Sequence, residues 1–263
     1  MASNITHYVF GKRIVDTLPP EARAVIRTYP KHFLIGNQGP DLFFYHVTST
    51  RHQVGPFIHK RPFDDLLFRN RAWIASKPTD TPTWTYLLGL LCHFSLDIAF
   101  HPYIDHIEPR ISLDHVTIER EFDRYLLRQA GIPFGTFSEY TMIPHPEEVA
   151  EAIVPVYETY SGVDIHDIRQ ALYAFRIAMV FFHVNSKSAR KRKLRALSLL
   201  GLDDDLGGML MSTDKLFEST YITNLALHQH MQLAYPIAEE AVRAIYGDEA
   251  DYPPFFRLNF SGQ

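Results

Sequence analysis

The segment Trp84–Arg124, WTYLLGLLCHFSLDIAFHPYIDHIEPRISLDHVTIEREFDR, constrains this chain more than any other. Its first half is apolar enough to be a buried helix, yet it carries His93, Asp97 and His101 at positions i, i+4 and i+8. On an α-helix that spacing sets three ligand-type side chains on roughly one face. Pro102 follows and is expected to end or kink the helix. After a short loop come His115 and Glu119, again at i and i+4, so that a histidine and a carboxylate one turn apart can face one ion. A lone histidine on an apolar face is usually a satisfied core residue. Two His/carboxylate pairs within one hairpin ask for more, because unpaired buried charges are costly. A metal cluster is the reading this pattern favours, and a buried polar network is its competitor.

The rest of the composition narrows the chemistry. Fourteen histidines are present, and His93, His101, His106 and His115 crowd into this one hairpin. Cys92 is the single cysteine, so neither an intrachain disulfide nor a cysteine-rich zinc motif is available. Any metal is therefore held by imidazole and carboxylate, which suits zinc, iron or manganese. Cys92 reads as a buried helix residue, since nothing around it suggests an activated thiolate. A net charge of −4 and a pI near 6.4 argue against a nucleic-acid binder driven by overall charge. The start, MASNITHYVFGKR, shows neither a signal-type apolar region nor a cleavage site, and Tyr86–Cys92 is too short an apolar run to span a bilayer. A cytoplasmic location is the expectation.

Along the chain the periodicity favours an all-α fold, a single multi-helix domain over residues 1–263. A short amphipathic helix is expected from Ala22 to Tyr29, stopped by Pro30. Gly36, Gly39 and Pro40 make a turn, after which Asp41 suits a helix N-cap or a ligand. His46–Gly55 reads as a loop and Phe63–Ser76 as a helix. A Pro/Thr-rich connector over 76–83 ends at an N-cap for the central helix. Further helices are expected over Ile118–Gln129, from Pro146 to about Tyr160, from Asp164 or His166 to about Asn185, and from Pro236 to Tyr246. Gly201–Gly208 reads as a loop, and the tail from Asp251 is aromatic and Pro-rich. Residues 187–195 carry six cations in nine positions, a pattern of solvated helix faces and, more sharply, of patches that attract anionic surfaces.

The succession His7, Gly36 through Asp41, His59, His93-x-x-x-Asp97-x-x-x-His101 and His115-x-x-x-Glu119 resembles the zinc-dependent phospholipase C family. That group includes the α-helical bacterial phospholipases C. The N-terminal domain of glycosylphosphatidylinositol-specific phospholipase D and the single-strand-specific zinc nucleases are similar. The resemblance covers most of the chain. It is most specific over residues 31–125 and weaker over Tyr221–Pro236. It implies that Asp41, His59, His93 and Asp97 hold one zinc ion and that His101, His115 and Glu119 hold a second. It also implies that Asp97 bridges toward a third, with His7 as its other side-chain ligand, and that Asp41 orients or deprotonates the attacking water.

Two departures from the family pattern stand out. Its secreted members bind the third zinc through a Trp exposed when the leader is removed, whereas Met1 or Ala2 would come first here. Two ions are thus expected, with the third site left open. The Asp97-to-His101 spacing is also shorter than in the classical secreted phospholipases, so substrate specificity does not carry across.

The implied reaction is phosphodiester hydrolysis by metal-activated water, phospholipase C-like, on a phospholipid or related diester, with peripheral membrane contact possible and no nucleic acid expected. Two other classes compete. One is a His-Asp nucleotide phosphohydrolase, for which His166-Asp167 is the sole adjacent pair. The other is a non-catalytic, metal-stabilised helical binding domain. His52 competes with His59. His32, His46 and His106 are the remaining decoys. Asp105, Asp114 and Tyr8 are the expected outer partners of the histidines. The sequence does not define the oligomeric state.

Overall fold

The computed structural model describes residues 4–45, 53–160, 162–212, 218–248 and 252–263. Among them every regular element is helical. In chain order these are α1 Asn4–Ile14, α2 Pro20–Thr28, α3 Pro30–Gly36, α4 Val54–His59, α5 Phe63–Arg69, α6 Arg71–Ala75 and α7 Pro82–Ile107. Then follow α8 His115–Gln129, α9 Pro146–Tyr157, α10 Ile165–Phe182, α11 Lys187–Leu199, α12 Asp203–Leu206 and α13 Glu218–Tyr246. The all-α expectation holds.

The axis of the fold is α7. Thr81 caps it, its hydroxyl accepting from the Trp84 amide at 3.2 Å, and Pro82 takes the first-turn position where its missing N–H costs nothing. Every residue from Trp84 to Asp97 is buried, and α13, α3, α9 and α1 pack around it. A helix apolar on all sides must be enclosed in this way. The stretch Pro82–Arg110 is long and apolar enough to cross a membrane, but 78% of its apolar window is buried inside the protein, as in a core helix.

The backbones of α3 and α7 approach each other closely. A Cβ added at Gly89 would lie 2.2 Å from the Phe33 carbonyl oxygen and 2.8 Å from Gly36 Cα, so both helices need glycine where they touch. This contact seats the turn that follows α3 directly against His93.

A second buried device holds α1 in place. Arg120 on α8 bonds Asp123 at 2.8 Å and forks onto Glu139 at 2.9 and 2.6 Å. Asp123 in turn accepts from the Thr6 amide and hydroxyl, both at 2.8 Å, while the Asn4 amide reaches Glu139 at 3.3 Å. The N-terminal helix is thereby fixed by charge-assisted bonds.

Several expectations are corrected by this packing. Pro30 ends α2 but also starts α3, so the segment read as leading to a turn is helical. Pro102 and Pro236 lie inside α7 and α13 rather than at helix boundaries. Buried Phe100 and Ile104 on either side of Pro102 carry the packing through the lost hydrogen bond. Val54 and Gly55, read as loop, open α4. The helix expected over 63–76 is α5 and α6, broken at Asn70, whose side chain bonds the Leu66 and Val156 carbonyls. The loop expected over 201–208 contains α12.

Gly89→Ala is expected to lower stability by about 1–3 kcal/mol or more, because backbone must move to admit the methyl group. Arg120→Met, which strands two buried carboxylates, is expected to cost about 3–5 kcal/mol. Thermal and urea unfolding followed by circular dichroism check both.

Candidate metal centre

Three groups of donor atoms, each set lying within 4.8 Å of one another, form beside α7. Asp41, His59 and His93 make the first, His7, His93 and Asp97 the second, and His101, His115 and Glu119 the third. His93 belongs to two of them, so all eight residues singled out in the sequence fall into three groups, two sharing a ring. They come from α1, α4, α7, α8 and the turn after α3. A further group, Asp105, Glu108 and His115, lies at the exposed edge of the third.

The outer nitrogen of each central imidazole is anchored to a backbone carbonyl. His93 Nδ1 lies 3.1 Å from the Asn37 oxygen, His59 Nδ1 2.8 Å from that of Gly55, and His101 Nδ1 2.6 Å from that of Phe260. A carbonyl can only accept, so Nδ1 carries the proton and a neutral ring points the Nε2 lone pair inward. Those inward atoms meet carboxylates: His59 Nε2 is 2.8 Å from Asp41, His93 Nε2 is 3.2 Å from Asp97, and His101 Nε2 is 3.6 Å from Glu119. His7 Nε2 also approaches Asp97, at 3.2 Å, and His115 Nε2 approaches Glu119 at 3.3 Å.

A lone pair facing a carboxylate is repulsive unless a cation lies between them. The alternative is a second proton on the ring. Burial opposes that proton, but Asp97 and Glu119 outweigh it at His101, whose pKa is pushed up to about 9, and Asp97 and Asp41 raise that of His93. At His7 burial prevails, helped by His93, and the pKa falls. Asp97 is held well below the usual carboxylate range: burial resists ionisation, and His93 and His101 override it. Asp41 is lowered in the same way, against burial, by His59 and His93. Three carboxylates among five imidazoles are a donor set whose hardness and charge suit zinc. The buried His93 Nε2 and Asp97 Oδ2 sit 3.2 Å apart without hydrogen-bond alignment, as donor atoms do when they converge on a common point. The residues present fit the metal.

The positions follow from local structure. Gly39, at φ +52°, lies flat against His93, where a Cβ would come within 2.4 Å of the ring. The 3-10 segment Gly39–Tyr45 then carries Asp41 inward, 1% exposed, with Asp41 inside the segment and not at a helix N-cap position. Asp114 caps α8 by accepting from the Thr117 amide and hydroxyl, and the Glu108 carboxylate takes the His115 amide. Of the expected outer partners, Asp105 lies 3.7 Å from His115 Nδ1, whereas Asp114 is spent on the cap and Tyr8 packs under Lys12. His32 lies against Tyr29, and His106 is exposed at the end of α7. His166 and Asp167 sit at the start of α10, where Asp167 accepts from the Asp164 amide. His46 and His52 lie outside the described residues. Cys92 is fully buried and burial pushes its thiol up, so it is no nucleophile at neutral pH.

Phe260 escaped the sequence reading. Its carbonyl holds His101, its amide donates to the His59 carbonyl at 3.3 Å, and its ring lies 4.8 Å from His59 and 5.7 Å from His93. The C-terminal tail thus closes over the ligands from outside the helical hairpin that carries most of them.

Residues 6–164 match the family model described as zinc dependent phospholipase C. No curated protein and no solved structure matches the chain. All eight donors fall inside the matched region, whereas Phe260 lies beyond it.

Deleting residues 259–263 is expected to release His101 and lower the zinc content of metal-loaded protein by about one ion per chain, as Glu119→Ala should. Elemental analysis measures this, and unchanged content in the truncated chain would refute the anchoring role of Phe260. Chelation is expected to lower the melting temperature and zinc to restore it, since only the folded chain assembles the donors.

Proposed function

Because the chain belongs to the zinc-dependent phospholipase C family, we propose that it is a zinc-dependent hydrolase of phosphodiester bonds, phospholipase C-like and acting on phospholipid-type substrates, built as one helical domain. The observation that carries this reading is the overlap of the donor groups through His93, with Asp97 beside it. A single structural ion needs one closed tetrahedral set. Donor groups strung together instead suit a multinuclear centre that grips a phosphate and a water at once.

Asp41, His59, His93 and Asp97 would hold one zinc ion, and His101, His115 and Glu119 a second with a position left open. His7 joins Asp97 and His93 in the remaining donor group. Bound zinc supplies a lowered water pKa and neutralises phosphate oxygens. Asp41, held ionised by His59 and His93, is the group that accepts the proton of the attacking water. His59 keeps Asp41 oriented through its 2.8 Å contact. The Nδ1 bonds to Asn37, Gly55 and Phe260 keep the rings in the tautomer that ligation needs.

Zinc-loaded protein is expected to hydrolyse bis(4-nitrophenyl) phosphate and phosphatidylcholine, and Asp41→Asn to lower kcat by about 10²–10⁴-fold with the helical circular dichroism unchanged. A zinc-replete wild type that turns over neither substrate would sink the proposal.

A further inference from the structure

The helical pair α10 and α11 exposes apolar surface that the metal chemistry does not use. Tyr173, Ile177 and Val180 form a stripe at i, i+4 and i+7 along α10, and Ile177 is 69% exposed. Leu199, Leu200 and Leu202 project at the end of α11, with Leu200 71% exposed. Single exposed leucines need no explanation. Here, however, Ile177 and Leu200 form part of the wall of one groove of ≈ 440 Å³, whose other walls include Phe44, Phe181 and Leu206. Its volume lies in the range of ligand pockets, and its surface is almost wholly apolar.

One wall of that groove, Phe44, also borders the metal centre: the Phe44 ring lies 5.0 Å from the ring of His59, which touches Asp41. On the groove's other side the wall includes Leu197 of α11 and Leu200 just beyond it, on the helix that also carries the cationic run. Arg190 and Lys193 turn inward onto the Leu210 and His183 carbonyls. Lys191, Arg192 and Arg195 are exposed, and helical spacing sets them on one face with Leu199. Within a protein of net charge −4, α11 exposes four cations, Lys187, Lys191, Arg192 and Arg195, ahead of exposed Leu199 and Leu200, with acidic residues entering only from Asp203. Cations next to apolar side chains on a helix are complementary to anionic head groups above acyl chains.

We infer that the α10–α11 face docks on an anionic phospholipid bilayer, and that the groove takes an acyl chain of the lipid whose phosphodiester reaches the metal centre. The acyl-chain part rests on the proposed phosphodiesterase activity. The docking part rests on the charge and apolar surface alone.

The test uses zinc-loaded full-length protein with phosphatidylcholine vesicles, with and without phosphatidylserine. Co-sedimentation should require phosphatidylserine, weaken with salt, and fall about a hundredfold in partition coefficient for Lys191→Glu/Arg192→Glu/Arg195→Glu. In Ile177→Asp/Leu200→Asp the ratio of vesicular to bis(4-nitrophenyl) phosphate hydrolysis should fall by about tenfold or more. Circular dichroism and zinc content confirm that both variants fold. Wild type that ignores phosphatidylserine vesicles, or a charge variant that binds them equally well, overturns docking. An unchanged hydrolysis ratio overturns the acyl groove. A solution dimer dispersed by the same substitutions overturns docking too, and gives the face to a second copy. Binding without hydrolysis of either substrate refutes the phosphodiesterase reading and leaves docking intact, whereas hydrolysis of the soluble diester without vesicle binding refutes docking alone.

Discussion

The structure depends on keeping three buried carboxylates, Asp41, Asp97 and Glu119, ionised beside a helix that is apolar along most of its length. Each is at most 4% exposed. An isolated buried carboxylate is so costly that it takes up a proton unless cations surround it. Five imidazoles are brought to these three acids, and bringing them there determines much of the fold. The turn after α3 offers the Asn37 carbonyl to His93, α4 offers that of Gly55 to His59, and the tail offers that of Phe260 to His101. The glycines of α3 and α7 permit the approach that sets the first of these contacts. Packing and chemistry are one problem here, because the backbone contacts that seat the helices also choose the tautomer of the rings.

The buried network around Arg120 shows what a purely structural solution looks like in the same protein. Its guanidinium meets Asp123 and Glu139 at 2.6–2.9 Å with aligned bonds, and the acids also accept from Thr6 and Asn4. Most of that cluster is held by charge-assisted bonds from N–H and O–H donors to carboxylate oxygens, although Arg120 Nε and Asn4 Oδ1 stay unpaired. The histidine cluster is arranged differently: His93 Nε2 and Asp97 Oδ2 are buried and adjacent yet unaligned with each other. What separates the two is the atom that meets each carboxylate: a guanidinium N–H in the first and an imidazole nitrogen in the second, an arrangement suited to an ion placed between its atoms. The first in turn serves the second, since Thr6 and Asn4 flank the turn of α1 that delivers His7.

What the sequence disclosed follows the range of its local signals. His93, Asp97, His101, His115 and Glu119 are legible because helical spacing alone sets them together. His7, Asp41 and His59 stand on three other elements, so only the family resemblance linked them before the structure did. Prolines misled where burial overrides propensity: Pro102 and Pro236 sit within helices whose packing outlasts one missing hydrogen bond. The outer partners of the rings were sought among side chains, but three of them are main-chain carbonyls. No residue type marks a carbonyl, which is why Phe260 carried no signal in the sequence.

The spacing along α7 has a mechanical consequence. Four residues of helix advance about 6 Å, so His93, Asp97 and His101 step along one face rather than converging on a point. One helix therefore serves separate donor groups, and Asp97, in the middle, feels the rings on both sides. Its ionisation is supported by His93 and His101, and its two oxygens lie 3.2 Å from His7 and 3.2 Å from His93. A rigid, enclosed helix is the right mount for such an array, because the separation of the groups is then fixed by backbone geometry and not by flexible loops. The apolar sequence of α7, which first reads as core and nothing more, is what makes the spacing of its three polar residues dependable.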